Sequence, residues 1–386
     1  MASSRSFSLS RSAIADLVTP WAQSLEPYPP GKPIEEVERE LGHPAIKLAS
    51  NENPFGPSPL AVEAAARAMQ KASFYPDGGG YYLRQKLAAL HRLDMDRIIL
   101  GAGSTELIEL VAKTCLTPGD DVVVSERSFY VYDTATLSMG GRIIKAPMRG
   151  LTCDLEAVRA AVTPKTKIIY LANPNNPTGT MFTADELDEL LNSLPRRVLV
   201  VLDEAYYDYV SAPGYSRSLD DVCAGRNLLV LRTFSKVHGL AGLRIGYGIG
   251  GAELMEALNR VRSPFNASGV AQAAAMAALD DHDHLRLSVE SNAREMEFLT
   301  REFQARGIRY TPSVANFVLI DTGRDCNQDF RQLLHEGVIV RPMKLYQLPC
   351  SLRVTVGTHL ENETFLEALD RVAQLTTGLE AVTVKS

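Results

Sequence analysis

Lys236 closes the stretch Thr233-Phe234-Ser235-Lys236, directly after the apolar run Leu228–Leu231, and Arg244 follows eight residues later. A lysine beside the end of a buried strand is desolvated, which lowers its pKa and frees an amine able to condense with a carbonyl. Ser235 and Arg244 are residue types that hold phosphate oxygens, Arg244 through paired hydrogen bonds. Taken alone, Lys236 reads as a solvated surface lysine. Three other clusters share its placement after a β-branched run. Asp203-Glu204-Ala205-Tyr206 follows Val198–Leu202; a carboxylate there needs a cation, such as a protonated pyridine nitrogen, unless it only caps a helix. Asn173-Pro174-Asn175-Asn176-Pro177-Thr178-Gly179 follows Ile168–Leu171. Its prolines and glycine set a loop, and Asn176 offers donor and acceptor groups, with a rigid connector as the plain alternative. Gly101-Ala102-Gly103-Ser104-Thr105-Glu106 makes a strand-to-helix turn whose exposed amides favour an anion, although many such turns are glycine-rich for packing alone.

The elements that must position these clusters alternate between two periodicities. Helices are predicted over Pro59–Lys71, Tyr82–His91, Thr105–Cys115 and Thr183–Ser193, and strands over Asp121–Val124, Lys167–Leu171, Val198–Leu202 and Leu228–Leu231. The strands are apolar at consecutive positions, which suits coverage on both faces. Such alternation predicts an α/β fold with a mostly parallel sheet, whose ligands settle at the carboxyl ends of the strands. Beyond Asp280 the texture becomes α+β: a helix from His284 to Arg306, strands near Asn316–Ile320, Val338–Val340 and Leu352–Val356, and a helix from Glu361 to Leu375. The expected organisation is an N-terminal arm (1–45) packing with the small domain, a large domain (46–280) and a small C-terminal domain (281–386).

Composition narrows the function class. With 386 residues, 45% hydrophobic and 22% charged, the chain is an ordinary globular protein of two domains. Its net charge of −6 gives no support to nucleic-acid binding. The five cysteines form no C-x-x-C pair, so neither zinc nor a disulfide framework is suggested, and a cytoplasmic location is expected. Ser263–Leu279 is too interrupted to span a membrane. The Ser-rich start carrying Arg5 and Arg11 lacks the apolar core of a secretion signal. Asp281-His282-Asp283-His284 is read as a solvated charge cluster rather than metal ligands, Gly78-Gly79-Gly80 as flexible chain, and His238 as structural.

In combination, Asn176, Asp203, Tyr206, Lys236 and Arg244 resemble the fold-type I aminotransferases, which use pyridoxal 5'-phosphate (PLP). Leu48-Ala49-Ser50-Asn51-Glu52-Asn53-Pro54-Phe55-Gly56-Pro57, the segment Gly239 to Tyr247 and Leu352-Arg353-Val354-Thr355-Val356-Gly357 narrow the likeness to the histidinol-phosphate aminotransferase branch. The resemblance implies that Lys236 bonds PLP covalently and moves the substrate proton, that Asp203 pairs with the ring nitrogen, and that Tyr206 and Asn176 hydrogen-bond the ring oxygen. It implies a phosphate held by Ser104, Thr105, Ser235 and Arg244, with Phe129 stacked on the ring unless it is merely a core aromatic. Arg353, Arg341, Asn51 and Tyr28 would bind substrate, and Tyr75 would reach in from the second subunit of a homodimer. The implied reaction transfers an amino group from L-histidinol phosphate to the 2-oxo acid 2-oxoglutarate in histidine biosynthesis. An aromatic amino-acid aminotransferase or a PLP-dependent phospho-amino-acid decarboxylase on the same scaffold stays open, because the cofactor residues do not separate them. The chain departs from the family's usual pattern at Thr105 and His238.

Overall fold

The computed structural model describes residues 17–23, 25 and 31–383, with side chains described to residue 374. Tyr28 and about half of the N-terminal arm lie outside the described residues. A seven-stranded sheet forms the larger part, from β1 (Ile98–Gly101), β2 (Asp121–Ser125), β3 (Arg142–Ala146), β4 (Thr166–Ala172), β5 (Leu199–Asp203), β6 (Leu228–Thr233) and β7 (Gly246–Ile249). Their order is β1-β7-β6-β5-β4-β2-β3. Apolar side chains from both faces of the central strands feed two separate cores, one on each side of the sheet. That double burial is why β4, β5 and β6 read as unbroken apolar runs rather than alternating ones.

β7 is the exception that shapes the site. It runs antiparallel to both neighbours, with Gly246 in register with Thr233 of β6 and with Gly101 of β1. The start of β7 therefore lies at the edge where the other strands finish. Arg244, just before it, is returned to the carboxyl ends of the sheet, beside the residues that follow β1 and β6. A parallel strand in that place would have carried it to the opposite edge.

Helices α1 (Pro59–Met69), α2 (Gly103–Cys115) and α3 (Gly269–Ala278) cover the sheet. α1 and α3 meet through alanines (Ala61 and Ala64; Ala271, Ala274 and Ala275), so the apolar stretch rejected as a membrane span is a short packed helix. Among the described residues no helix is long and apolar enough to cross a membrane. The long α4 (His282–Ala305) leads into a second sheet of β8 (Arg309–Thr311), β9 (Phe317–Asp321), β10 (Arg341–Pro342) and β11 (Ser351–Thr355), ordered β8-β9-β11-β10. A third core joins this sheet to α4 and to α5 (His359–Thr383).

Residues 46–51 are sewn to this second unit. Ile46–Lys47 pairs in parallel with Val338–Ile339, Leu48 N–H donates to Ile339 O at 2.8 Å, and Thr355 N–H donates to Leu48 O at 2.8 Å. The strand expected near Val338–Val340 is found as Val338–Ile339, paired with the N-terminal segment, and Arg341–Pro342 follows as the separate β10 on β11. The Asp281–His284 run also departs from the expectation of a solvated cluster. Asp281 Oδ1 caps α4 by accepting from His284 N–H at 3.0 Å, and the His284 side chain is buried, while His282 and Asp283 are exposed.

Candidate active site

The strand ends enclose a cavity of about 260 Å³ whose wall includes Lys236, Asp203, Tyr206, Asn176, Ser235 and Arg244. Ser104, Thr105 and Phe129 also line it. A second cavity of about 120 Å³ adjoins it, sharing Ser50, Phe129, Asn176, Tyr206 and Lys236, and is walled beyond them by Asn51, Arg341 and Arg353. Of the residues singled out from the sequence, Tyr75 alone among those described is absent from both walls. Its ring is 84% exposed and stacks on Phe265 at 4.8 Å.

Lys236 sits where the cavities meet, with Nζ donating to Ser50 O at 3.2 Å. Burial lowers its pKa to about 8, helped by the charges of Arg353 and Arg244 and opposed by Glu52 and Asp203. About a tenth of the amine is therefore neutral at pH 7, far more than for an ordinary lysine, and the neutral form is the one a nucleophile or proton acceptor needs. Gly239 holds the loop that follows. It has φ +66°, and a Cβ there would stand 2.0 Å from Gly56 O, so only glycine lets the two loops touch.

At the far end, Asp203 is buried at the end of β5. Its Oδ2 accepts from Tyr132 Oη at 2.8 Å and its Oδ1 from Ala205 N–H at 3.1 Å. Burial nevertheless raises its pKa to about 6. A carboxylate kept by two donors yet still disfavoured by desolvation is one that a cation in the cavity would stabilise. Tyr132, stacked on Tyr170 at 4.9 Å, was not singled out from the sequence; its position three residues after Phe129, one helical turn on, was the available signal.

At the opposite end, the N-cap of α2, Ala102, has no side chain to cap with; its own N–H donates to Glu106 Oε2 at 2.6 Å, and the amides that follow are left for other acceptors. Gly103 has φ +79°, and a Cβ there would lie 2.5 Å from Arg244 Nη2, so backbone and guanidinium are in close approach. Arg244 itself is in the left-handed region at φ +53°, with Nη1 donating to Ala241 O at 3.1 Å and lying 3.4 Å from Ser235 Oγ. Helix amides, a hydroxyl and a guanidinium together make an anion cradle.

Arg353 links the chambers. Nη1 donates to Asn176 Oδ1 at 2.6 Å and Nη2 to Ala49 O at 2.7 Å, while buried Nε has no partner. Asn51 Nδ2 donates to Tyr206 Oη at 2.9 Å; burial pushes that phenol up to about 12, so it stays protonated. Asn51 is fixed in turn by its N–H to Thr355 Oγ1 at 2.9 Å.

The donor set of the larger cavity suits PLP: an anion cradle for a phosphate, an amine for an aldehyde, and a buried carboxylate for a protonated ring nitrogen. Comparison with known proteins agrees. The family model described as "Aminotransferase class I and II" matches residues 43–372. A histidinol-phosphate aminotransferase of Moorella thermoacetica is 50% identical over 351 residues, 90% of this chain and 91% of that one. Histidinol-phosphate aminotransferase 1 of Nitrosococcus oceani is 46% identical, over 95% of this chain and 99% of that one. Among solved structures, histidinol-phosphate aminotransferase from Sinorhizobium meliloti in complex with pyridoxal-5'-phosphate superposes with a TM-score of 0.86 at 29% identity, covering 96% of this chain and 99% of that chain.

Proposed function

The chain belongs to the class I and II aminotransferase family, and from that premise we propose that it transfers the amino group of L-histidinol phosphate to 2-oxoglutarate, yielding imidazole acetol phosphate and L-glutamate. The observation that carries the substrate reading is the pair of cavities joined at Lys236, one ending in an anion cradle and a buried carboxylate, the other in two arginines. PLP is the cofactor; when bound it supplies an aldehyde carbon to take up the amino group and a conjugated ring to delocalise the electron pair left at the substrate Cα.

The residues do the rest. Asp203, oriented by Tyr132 and Ala205 N–H, keeps a positive charge on the ring nitrogen. Ser104, Thr105, Ser235 and Arg244 hold the phosphate, and Phe129 covers the ring. Asn176 and the protonated Tyr206 orient the ring oxygen. Lys236 Nζ holds the cofactor between turnovers and then moves the proton at the substrate Cα. Arg353, Arg341, Asn51 and Tyr28 receive the substrate, whose anionic end calls for guanidinium partners.

The active unit is a homodimer in which Tyr75 enters the neighbouring site. What supports this is the exposed group of Phe74, Tyr75 and Phe265, large apolar rings that water does not favour. Residues 46–280 act as the cofactor domain, 281–386 as the small domain and 1–45 as an arm upon it; the packing of Ile34 and Val37 with Leu334 and Ile339 supports the arm's place, while the pairing of Ile46–Lys47 with Val338–Ile339 carries the arm's association a few residues past 45. All five cysteines are free thiols, in keeping with a cytoplasmic enzyme.

The test is an absorption spectrum of purified protein titrated with L-histidinol phosphate, beside Lys236→Ala. In the wild type the band of covalently held PLP should give way to that of the aminated cofactor. The variant should show neither and should lose turnover by about 10²–10⁴-fold or more. Brisk turnover of aromatic amino acids with none of histidinol phosphate would overturn the substrate reading.

A further inference from the structure

The walls of the two joined cavities carry four cationic side chains, Lys236, Arg244, Arg341 and Arg353, against two carboxylates, Asp203 and Glu52. Asp203 is committed at the far end of the larger cavity, accepting from Tyr132 and Ala205. Glu52 is different. It lines the larger cavity on the side of Ser50, whose carbonyl accepts from Lys236 Nζ, and its side chain is 42% exposed. It is paired with Lys47, whose Nζ lies 2.9 Å from its Oε1.

The proposed substrates place opposite demands on this charge distribution. An amino donor arrives as an ammonium cation carrying a phosphate; the 2-oxo acid arrives as a dianion with no cation. A wall of guanidinium groups attracts the phosphate and the dianion and repels the ammonium. A carboxylate beside the amine corrects the imbalance for the donor, yet a bare one would reject the oxo acid. Lys47 moderates it. Glu52 already reaches Lys236 electrostatically: among the groups that raise the proton affinity of that amine it ranks ahead of Asp203.

We infer that Glu52 is a specificity-determining residue that receives the ammonium group of the amino donor beside Lys236, with Lys47 setting how strongly it does so. This rests on the reading of the site as an aminotransferase centre and adds a device that lets one chamber accept substrates of unlike charge. The ordinary alternative is that Lys47–Glu52 is a loop-bracing ion pair, whose loss would disturb both substrates alike.

The two are separated by measuring KM for donor and acceptor independently in Glu52→Gln and Lys47→Met, near pH 8, where imidazole is neutral and the amine is largely charged. Glu52→Gln should raise KM for L-histidinol phosphate by about three- to fivefold and lower that for 2-oxoglutarate. Lys47→Met should shift both in the opposite directions, and all four effects should shrink in about 1 M salt. Calorimetric binding of 3-(imidazol-4-yl)propyl phosphate, which lacks the amine, should be no weaker in Glu52→Gln than in the wild type. Parallel shifts of both constants, or weaker binding of the amine-free analogue, would overturn the inference. Should Glu52→Gln fail to fold, Lys47→Met alone carries the sign test. If wild type ignores histidinol phosphate, the substrate reading fails separately, and the crossed shifts are read with whichever ammonium donor it does turn over.

Discussion

Replacing Asp203 with asparagine should make the cofactor-free protein more stable while weakening its response to PLP. The carboxyl's folded pKa is about 6, against an ordinary 3.8, with burial as the main cause. A raised carboxyl pKa means that the folded chain holds the proton more tightly than the unfolded chain. Ionisation therefore works against the fold: the penalty is absent below about pH 4, grows between about 4 and 6, and is complete above. Two decades of proton affinity correspond to about 3 kcal/mol. Asparagine removes that penalty but fits less well. Its oxygen can keep the bond from Ala205 N–H, leaving its NH₂ toward Tyr132, whose own hydroxyl proton then loses its acceptor. That loss costs about 1 kcal/mol.

The net expectation is a gain of about 1–2 kcal/mol for cofactor-free Asp203→Asn at neutral pH, or a few degrees in Tm, vanishing by about pH 4. Calorimetry of wild type and variant across that range reads it directly. Saturating PLP should then raise the Tm of wild type more than that of the variant, because only the wild type offers a carboxylate to the ring nitrogen. If the cofactor-free variant were less stable by the same margin at about pH 7.5 and about pH 4.5, burial would not be disfavouring the charge and the reasoning would fail.

His91 should have the opposite pH signature. Burial holds its pKa down at about 4, beside Tyr247 Oη at 3.1 Å, so its contribution is present above about pH 6.5 and is lost as pH falls towards 4; His91→Gln should flatten that acid limb in thermal melts. Gly239→Ala should cost far more than Gly214→Ala in urea unfolding and should also impair PLP retention. Both residues have positive φ, but a Cβ at 239 would meet Gly56 O whereas none at 214 meets anything within 4 Å. Arg232 donates from Nε (3.0 Å) and Nη2 (2.8 Å) to Glu204 Oε2 in a buried pair. Arg232→Met should destabilise by about 3–5 kcal/mol, and adding Glu204→Leu should recover part of that rather than add to it.

Much of the sheet was legible because double burial writes itself into consecutive residues. The runs Lys167–Leu171, Val198–Leu202 and Leu228–Leu231 fall within a residue or two of β4, β5 and β6. β1, β3 and β7 were not foreseen. β1 and β7 are four residues each, β7 with two glycines, and β3 is a half-exposed edge strand, so none offers a long apolar run. The gathering of Asn176, Asp203, Lys236 and Arg244 around one cavity was legible from their places after strands. The Leu48–Pro57 segment, with Asn51, was legible only through the family likeness: Ser50 meets Lys236 across 186 positions of sequence, and no local pattern encodes so distant a meeting. Glu52 entered only as one letter of the Leu48–Pro57 likeness, since nothing local shows that it faces the same cavity as Lys236.

The antiparallel β7 also sets a timetable for biosynthesis. β1 has no strand neighbour in the sheet except β7, and Gly101 and Gly246 are 145 residues apart in the chain. At about 5–20 residues per second, the ribosome needs roughly 7 to 30 seconds to supply the missing strand. Through that interval Ile98, Ile99 and Leu100 wait as an unpaired apolar edge, and the cradle that depends on Arg244 does not yet exist. Nascent chains halted before β7 emerges should therefore be chaperone clients that cannot take up PLP, and the vitamin can register only on a protein whose large sheet is already closed.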